Sequence, residues 1–243
     1  MMIAGLQKLS LVDYPGHLSS VVFLQGCNFK CAYCQNPDLI SYAKKFEFSE
    51  KDFFDYIAGR KKMIEGIVVT GGEPTIHSDL PAFLKKIKKA GFKVKLDTNG
   101  SNPQMLEQLI RDAVLDYVAM DIKTSFSKYS DVSNVPDIAE KVIESISIIL
   151  FSTVLYEFRT TCVPSIVDEE DFKVIGEKVR NAKRYCLHQF QNTVTYNEEF
   201  QKIKPYSKKE IQKFRDILEG FVERVDVRGL TGNTGDVPFK RGE

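Results

Sequence analysis

The chain has 243 residues, with 34 Lys and Arg against 33 Asp and Glu and a formal charge of +1. That balance argues against a general nucleic-acid binder, which carries a basic excess, while the 43% hydrophobic content supports a sizeable core in one large α/β domain or two small ones. No apolar run reaches the ~18 residues of a membrane span, and the opening MMIAGLQKLSLVDYPG lacks the apolar centre of a signal peptide, so a soluble, cytoplasmic protein with no membrane partner is expected.

An apolar, β-branched run, SSVVFLQG (19–26), predicts a buried strand that delivers the chain into GCNFKCAYC. A helix opened by Ser49 follows, with Phe53, Phe54 and Ile57 on one face. Strand GIVVT (66–70) runs into GGEP, and helix 79–90 buries Leu80, Phe83, Leu84 and Ile87 at helical spacing, with Pro81 in its first turn. KVKLDT (93–98) alternates as a strand does, and helix 103–113 starts at Pro103 and turns Leu106, Leu109, Ile110 and Ala113 to one side. Strand 116–123, helix 137–150, strand 156–163, helix 169–180, strand 184–190, helix 208–219 and a short strand at 224–229 complete the pattern.

Six or seven βα units predict a mostly parallel sheet with helices outside. A full barrel needs eight units in ~250 residues, so six convincing units predict a partial, open (β/α)6 TIM-like barrel. No Pro/Gly/Ser-rich linker divides the chain, and residues 1–229 read as one domain followed by a tail, 230–243, with no assigned role. In parallel α/β folds ligands sit at the carboxyl ends of the strands. GCNFKCAYC, GGEP, DTNG and DIK all fall at such ends and therefore converge on one rim.

Five cysteines are present, and Cys27, Cys31 and Cys34 are crowded as C-x3-C-x2-C. In a reducing compartment that crowding points to metal or redox work rather than a disulfide framework. Three thiolates are one fewer than an iron–sulfur cubane usually takes, which leaves one iron open for another ligand. A zinc site completed by His17, Cys162 or Cys186, or incidental thiols, are the alternatives, although zinc frameworks favour paired C-x2-C units. The adjacent glycines Gly71 and Gly72 let backbone approach a ligand without a Cβ in the way. Asp97 and Asp121, at neighbouring strand ends, suit a cationic amino group, ribose hydroxyls or a metal cation. Arg159, inside an apolar strand, needs an anionic partner, either a ligand carboxylate or a structural salt bridge.

The cysteine spacing at the end of the first strand, Tyr33 just before the last cysteine and the downstream GGEP together resemble the radical S-adenosylmethionine (SAM) enzymes. The resemblance implies a [4Fe–4S] cluster on Cys27, Cys31 and Cys34 whose fourth iron takes the amino and carboxylate groups of SAM. An electron then cleaves SAM to methionine and a 5′-deoxyadenosyl radical that abstracts hydrogen. It also implies that Gly71, Gly72, Glu73 and Pro74 border the SAM amino group. LDTNG and MDIK look like motifs of the glycyl-radical-enzyme activases, in which Asp97, Thr98, Asp121 and Lys123 would line the SAM site and the aspartates would flank a monovalent cation; Asn99, within LDTNG, is expected beside them. Arg159 would meet the SAM carboxylate and His188, or Gln189 beside it, the ribose. The stretches GLQKLSLVDYPG, VFLQGCNFKCAYCQNPDL, LDTNGSNP, DYVAMDIK and FRTTCVP extend the likeness over residues 3–228, to the anaerobic ribonucleoside-triphosphate reductase activating proteins. The partner implied is a glycyl radical enzyme, with reduced flavodoxin or ferredoxin as electron donor. A pyruvate formate-lyase-like partner, or a small-molecule substrate, is the alternative. The lysine clusters GRKK (59–62) and KKIKK (85–89) are solvated faces or a docking surface for that acidic donor.

Overall fold

The computed structural model describes residues 1–43 and 48–230. The expected tail, apart from Leu230, lies outside the described residues. One eight-stranded sheet runs in the order β1 to β8 without closing. From β2 (Ser19–Leu24) through β3 (Gly66–Gly71), β4 (Lys93–Thr98), β5 (Tyr117–Asp121), β6 (Leu155–Cys162), β7 (Tyr185–Gln189) and β8 (Val225–Arg228) every neighbour pair is parallel. The crossovers carry α1 (Glu50–Ala58), α2 (Leu80–Lys89), α3 (Pro103–Arg111), α4 (Tyr129–Ser133), α5 (Ala139–Leu150), α6 (Glu169–Lys178) and α7 (Lys208–Glu219). The open, six-unit partial barrel is therefore what forms, with β8 as an extra strand after the last helix.

Two elements were absent from the sequence reading. β1 (Ile3–Ser10) pairs antiparallel with β2, and register breaks between Ile3 and Gly5 and between Gln7 and Ser10 disrupt its alternation. Such bulges erase the period-two signal by which a strand is recognised. The short α4 is a single turn and a half inside the β5–α5 connection, too brief to display helical periodicity.

Local chemistry accounts for the boundaries. Ser49 and Asp52 cap α1 reciprocally, as Asp168 and Asp171 do for α6 and Ser207 and Glu210 for α7. Pro103 occupies the first turn of α3, where its missing N–H costs nothing, and Asn102 accepts from the Met105 amide. Among the described residues no helix is long and apolar enough to cross a membrane.

The core is split by the sheet. Outward-facing Val22, Leu24, Ile67, Val69, Val94, Leu96 and Val118 are buried under Phe53, Ile57, Leu84, Ile87, Leu109 and Ile146 of the helices. The alternate residues face inward, because successive side chains of a strand point to opposite faces. On β2 and β3 these are apolar, and Val21, Phe23 and Val68 pack with Ala4, Tyr14, Leu39, Tyr117 and Ala119. From β4 onward the inner face becomes charged, carrying Lys95 and Asp97, then Asp121, Glu157, Arg159 and Arg228. Register brings Asp121 opposite Arg159 and Ala119 opposite Glu157.

Candidate active site

The cysteine loop leaves β2 at Gly26, whose φ of +94° is left-handed. It closes on itself through bonds from the Gly26 and Cys27 amides to the carbonyls of Leu39 and Ile40 (2.7 and 3.1 Å). The long β7–α7 connection clasps it from outside. The amides of Tyr196 and Asn197 donate to the Cys34 and Ala32 carbonyls (2.9 and 2.8 Å), and Gln35 Nε2 donates to the Gln191 carbonyl at 2.8 Å. Cys27, Cys31 and Cys34 line one cavity of about 230 Å³ that opens to solvent. All three are free thiols, and burial pushes Cys27 up to about 12 and Cys31 up to about 11. A ligated metal reverses that preference by binding the thiolate.

The GGEP turn packs directly on this loop. A Cβ on Gly72 would stand 1.9 Å from the Gly26 carbonyl oxygen, and one on Gly71, at φ +120°, would meet Leu24 backbone at 2.3 Å. The glycines therefore serve the approach of backbone to backbone, as well as lining the cavity. Hydrogen bonds from the Gly72 and Glu73 amides to the Leu24 and Gly26 carbonyls, both 2.8 Å, fix the contact. Glu73 is fully buried and accepts from the Thr75 amide and hydroxyl, the Thr98 hydroxyl and the Asn99 amide at 2.5–3.0 Å. Burial raises its pKa against those bonds. Its carboxylate thus ties the β3 turn to the β4 turn. Asn99, Asn28 and Ser101 form a closed ring of hydrogen bonds (2.8–3.0 Å) that fastens the cysteine loop to the end of β4.

The opposite wall is ionic. Arg159 donates from Nε to Asp121 Oδ1 (2.7 Å) and from Nη1 to Asp97 Oδ2 (3.0 Å). Lys123 Nζ meets Asp121 Oδ2 at 2.9 Å, and the buried Lys95 contacts Asp97 Oδ1. Burial opposes the Asp121 charge, but Arg159 and Lys123 outweigh it and hold the carboxyl well below its usual range. The structural salt bridge expected as one alternative for Arg159 is therefore present, on the two aspartates. Each of their four oxygens already touches a cation of the chain, so the expected monovalent cation beside Asp97 and Asp121 finds no support.

Tyr33, Gly71, Gly72, Glu73, Asp97, Asn99, Asp121, Lys123 and Arg159 all line the cavity with the cysteines. Pro74 does not. It is buried at the head of a short 3₁₀ turn, Pro74–Ile76, one residue beyond the lining. His188 is not in the lining either, although the inner face of β7 sets it in register beside Thr161, which is, and beside Arg228. Gln189 instead donates to the Tyr206 carbonyl. Asn28, Gln35, Lys95, Ser101 and Thr161 were missed. Lys95 had a signal, because a strand covered on both faces, as in a parallel sheet, has no solvent side for a lysine. In the KKIKK stretch, Lys85, Lys86 and Lys88 form surface pairs with Asp112, Glu50 and Asp116.

The donor set suits an iron–sulfur cluster. Among the described residues no three His, Cys, Asp or Glu side chains converge to hold a single ion, whereas a cubane takes each thiolate on a different iron. Beside the thiols lie cations and carboxylates matched to a zwitterion. The Tyr33 hydroxyl, buried with no hydrogen-bond partner among the described residues, offers a further contact to a ligand.

Residues 21–150, just over half of the chain, match the radical SAM superfamily. A protein of Methanocaldococcus jannaschii whose name assigns it provisionally to glycyl-radical enzyme activation is 34% identical over 238 residues, covering 95% of this chain and 97% of its own length. The pyruvate formate-lyase-activating enzyme of Listeria monocytogenes is 33% identical over 131 residues, half of this chain and 52% of that enzyme. Among solved structures, Streptococcus suis SuiB bound to S-adenosylmethionine superposes with a TM-score of 0.64 at 15% identity, over 85% of this chain and 49% of SuiB. That likeness supports the shared fold. The family match and the full-length relative together place this chain in the radical SAM superfamily of enzymes, on the branch that holds the glycyl-radical enzyme activating enzymes.

Proposed function

We propose that this enzyme binds a [4Fe–4S] cluster on Cys27, Cys31 and Cys34 and SAM in the adjoining cavity, and generates a glycyl radical on a partner enzyme. The full-length similarity to a protein named for glycyl-radical enzyme activation carries this reading. When bound and reduced, the cluster supplies the electron that cleaves the SAM sulfonium, so the protein's part is position and exclusion of water. Lys123 and Arg159 present cationic donors to the SAM carboxylate, while Asp97 and Asp121 orient those donors. Glu73 holds the GGEP turn against the cysteine loop, and the carbonyls and glycine backbone of that turn meet the amino group. Asn99 and the Tyr33 hydroxyl complete the polar lining.

The partner we favour is an anaerobic ribonucleoside-triphosphate reductase, on the strength of the motif resemblance along residues 3–228. The unclosed side of the sheet suits a partner loop that must bring a glycine α-carbon to the cavity. A pyruvate formate-lyase-like partner is favoured in turn by the similarity to the Listeria enzyme. Reduced flavodoxin or ferredoxin is the donor class we assign.

The test is anaerobic reconstitution, reduction and mixing with SAM and a purified anaerobic reductase from the same genome. 5′-Deoxyadenosine and the glycyl-radical EPR doublet are quantified together. Both rising supports activase and partner. Deoxyadenosine without the doublet rejects that partner and moves the assay to pyruvate formate-lyase-like proteins. Neither signal, from protein with a verified cluster, refutes the proposed reaction.

A further inference from the structure

Lys95 is a lysine with 1% of its surface exposed, on the inner face of β4. An ammonium withdrawn from water is costly unless it is paired and hydrogen-bonded. Its contact is Asp97 Oδ1, two residues along the same strand and therefore on the same face. Lys95 does not line the cavity but stands behind Asp97, which does. Glu157, on the inner face of β6, is the next carboxylate within reach of its charge.

The surrounding pairs form one alternating row. Lys95 meets Asp97, Asp97 meets Arg159, Arg159 meets Asp121, and Asp121 meets Lys123. Two anions are thus interleaved with three cations, all supplied by the chain. With an apolar residue at position 95, Asp97 Oδ1 would face a buried gap of ammonium size. A carboxylate left so would attract a small cation or swing away from the cavity.

We propose that Lys95 is a built-in counter-ion: its ammonium occupies the position beside Asp97 that a dissociable monovalent cation would otherwise take, fixing that carboxylate and making the site indifferent to sodium and potassium. Lys95 is a positioning residue, acting on SAM through Asp97, and the inference rests on the reading that this wall binds SAM.

The test uses the anaerobically reconstituted enzyme and its Lys95→Met variant at constant ionic strength, in chlorides of tetramethylammonium, sodium, potassium or ammonium. SAM affinity is measured by equilibrium dialysis and the thermal midpoint by calorimetry. Wild-type affinity is expected to agree within about twofold across the four salts, and its midpoint to be equally insensitive. Lys95→Met in tetramethylammonium, an ion too large for the gap, is expected to bind SAM roughly tenfold more weakly, because a buried carboxylate has lost its partner. Ammonium or potassium should restore affinity to within about threefold and raise the variant's midpoint. A general structural defect would not respond to cation size. Wild-type enzyme that binds SAM better in potassium than in tetramethylammonium overturns the proposal, even if the variant does not fold. So does a variant with wild-type affinity in tetramethylammonium, or one that no small cation rescues. Wild type that binds no SAM in any salt refutes the proposed function instead, and the midpoint series, which needs no SAM, still decides the counter-ion.

Discussion

Gly72→Ala adds a single methyl group at the place where the GGEP turn touches the cysteine loop. The new carbon would lie 1.9 Å from the Gly26 carbonyl oxygen, 2.5 Å from its carbon and 3.1 Å from the Cys27 amide nitrogen. All three are backbone atoms, so no side-chain rotation relieves the overlap. The two segments must separate by about 1 Å, which lengthens the hydrogen bonds from the Gly72 and Glu73 amides, now both 2.8 Å. Two backbone bonds contribute about 0.5–1.5 kcal/mol each, and overpacking a filled site costs about 1–3 kcal/mol. The sum is about 2–6 kcal/mol, a large share of the ~5–15 kcal/mol that holds a domain together. For a chain of this size that corresponds to a fall of roughly 4–24 °C in thermal midpoint. Gly59→Ala is the control, because nothing lies within 4 Å of a Cβ there. The assay is calorimetry of both variants, with iron and acid-labile sulfide counted per chain after anaerobic reconstitution. Gly72→Ala should melt early and load incompletely, and Gly59→Ala should match wild type. A Gly72→Ala protein with wild-type midpoint and full cluster content would refute the packing role assigned to the second glycine.

Two further outcomes follow from buried polar groups. The Tyr33 hydroxyl has no protein partner among the described residues, so Tyr33→Phe should leave the thermal midpoint unchanged or slightly higher while weakening SAM binding about fivefold. A midpoint several degrees lower would mean that the hydroxyl is held within the protein. Glu157 is fully buried, and although burial opposes its charge, Arg228, with Lys95 and Arg159, holds its carboxyl at about 2 against an ordinary 4.5. A depressed carboxyl stabilises the fold above pH 4.5, and its contribution, about 3 kcal/mol, is lost as pH falls through 4.5 toward 2. The midpoint gap between wild type and Glu157→Gln should therefore be wide at neutral pH and close on acidification. A gap that stays constant down to pH 3 would contradict this.

The sequence by itself determined the repeating βα order, because apolar alternation and helical spacing are local signals that survive burial. It also placed the chemistry. Cys27, Cys31 and Cys34, GGEP, Asp97 and Asp121 all stand at strand ends, and in a parallel sheet every strand end lies on the same rim. β1 escaped because its bulges break the alternation that marks a strand, and the partners of Lys85, Lys86 and Lys88 were illegible because Asp112, Glu50 and Asp116 come from other elements.

Only the tertiary structure decided who pairs with whom. Arg159 had an anion to find, but nothing local said that Asp97 and Asp121 would supply it from two neighbouring strands. Gly71 and Gly72 announced a close approach without naming what approaches, and the answer is the backbone of Leu24 and Gly26. Lys95 stood out as a lysine on a strand with no solvent side, but its burial was settled only when the neighbouring strands packed around it. The physical reason is common to all three. Propensity and periodicity act over a few residues, whereas charge compensation and steric contact depend on distances between segments tens of residues apart, fixed only when the sheet has formed.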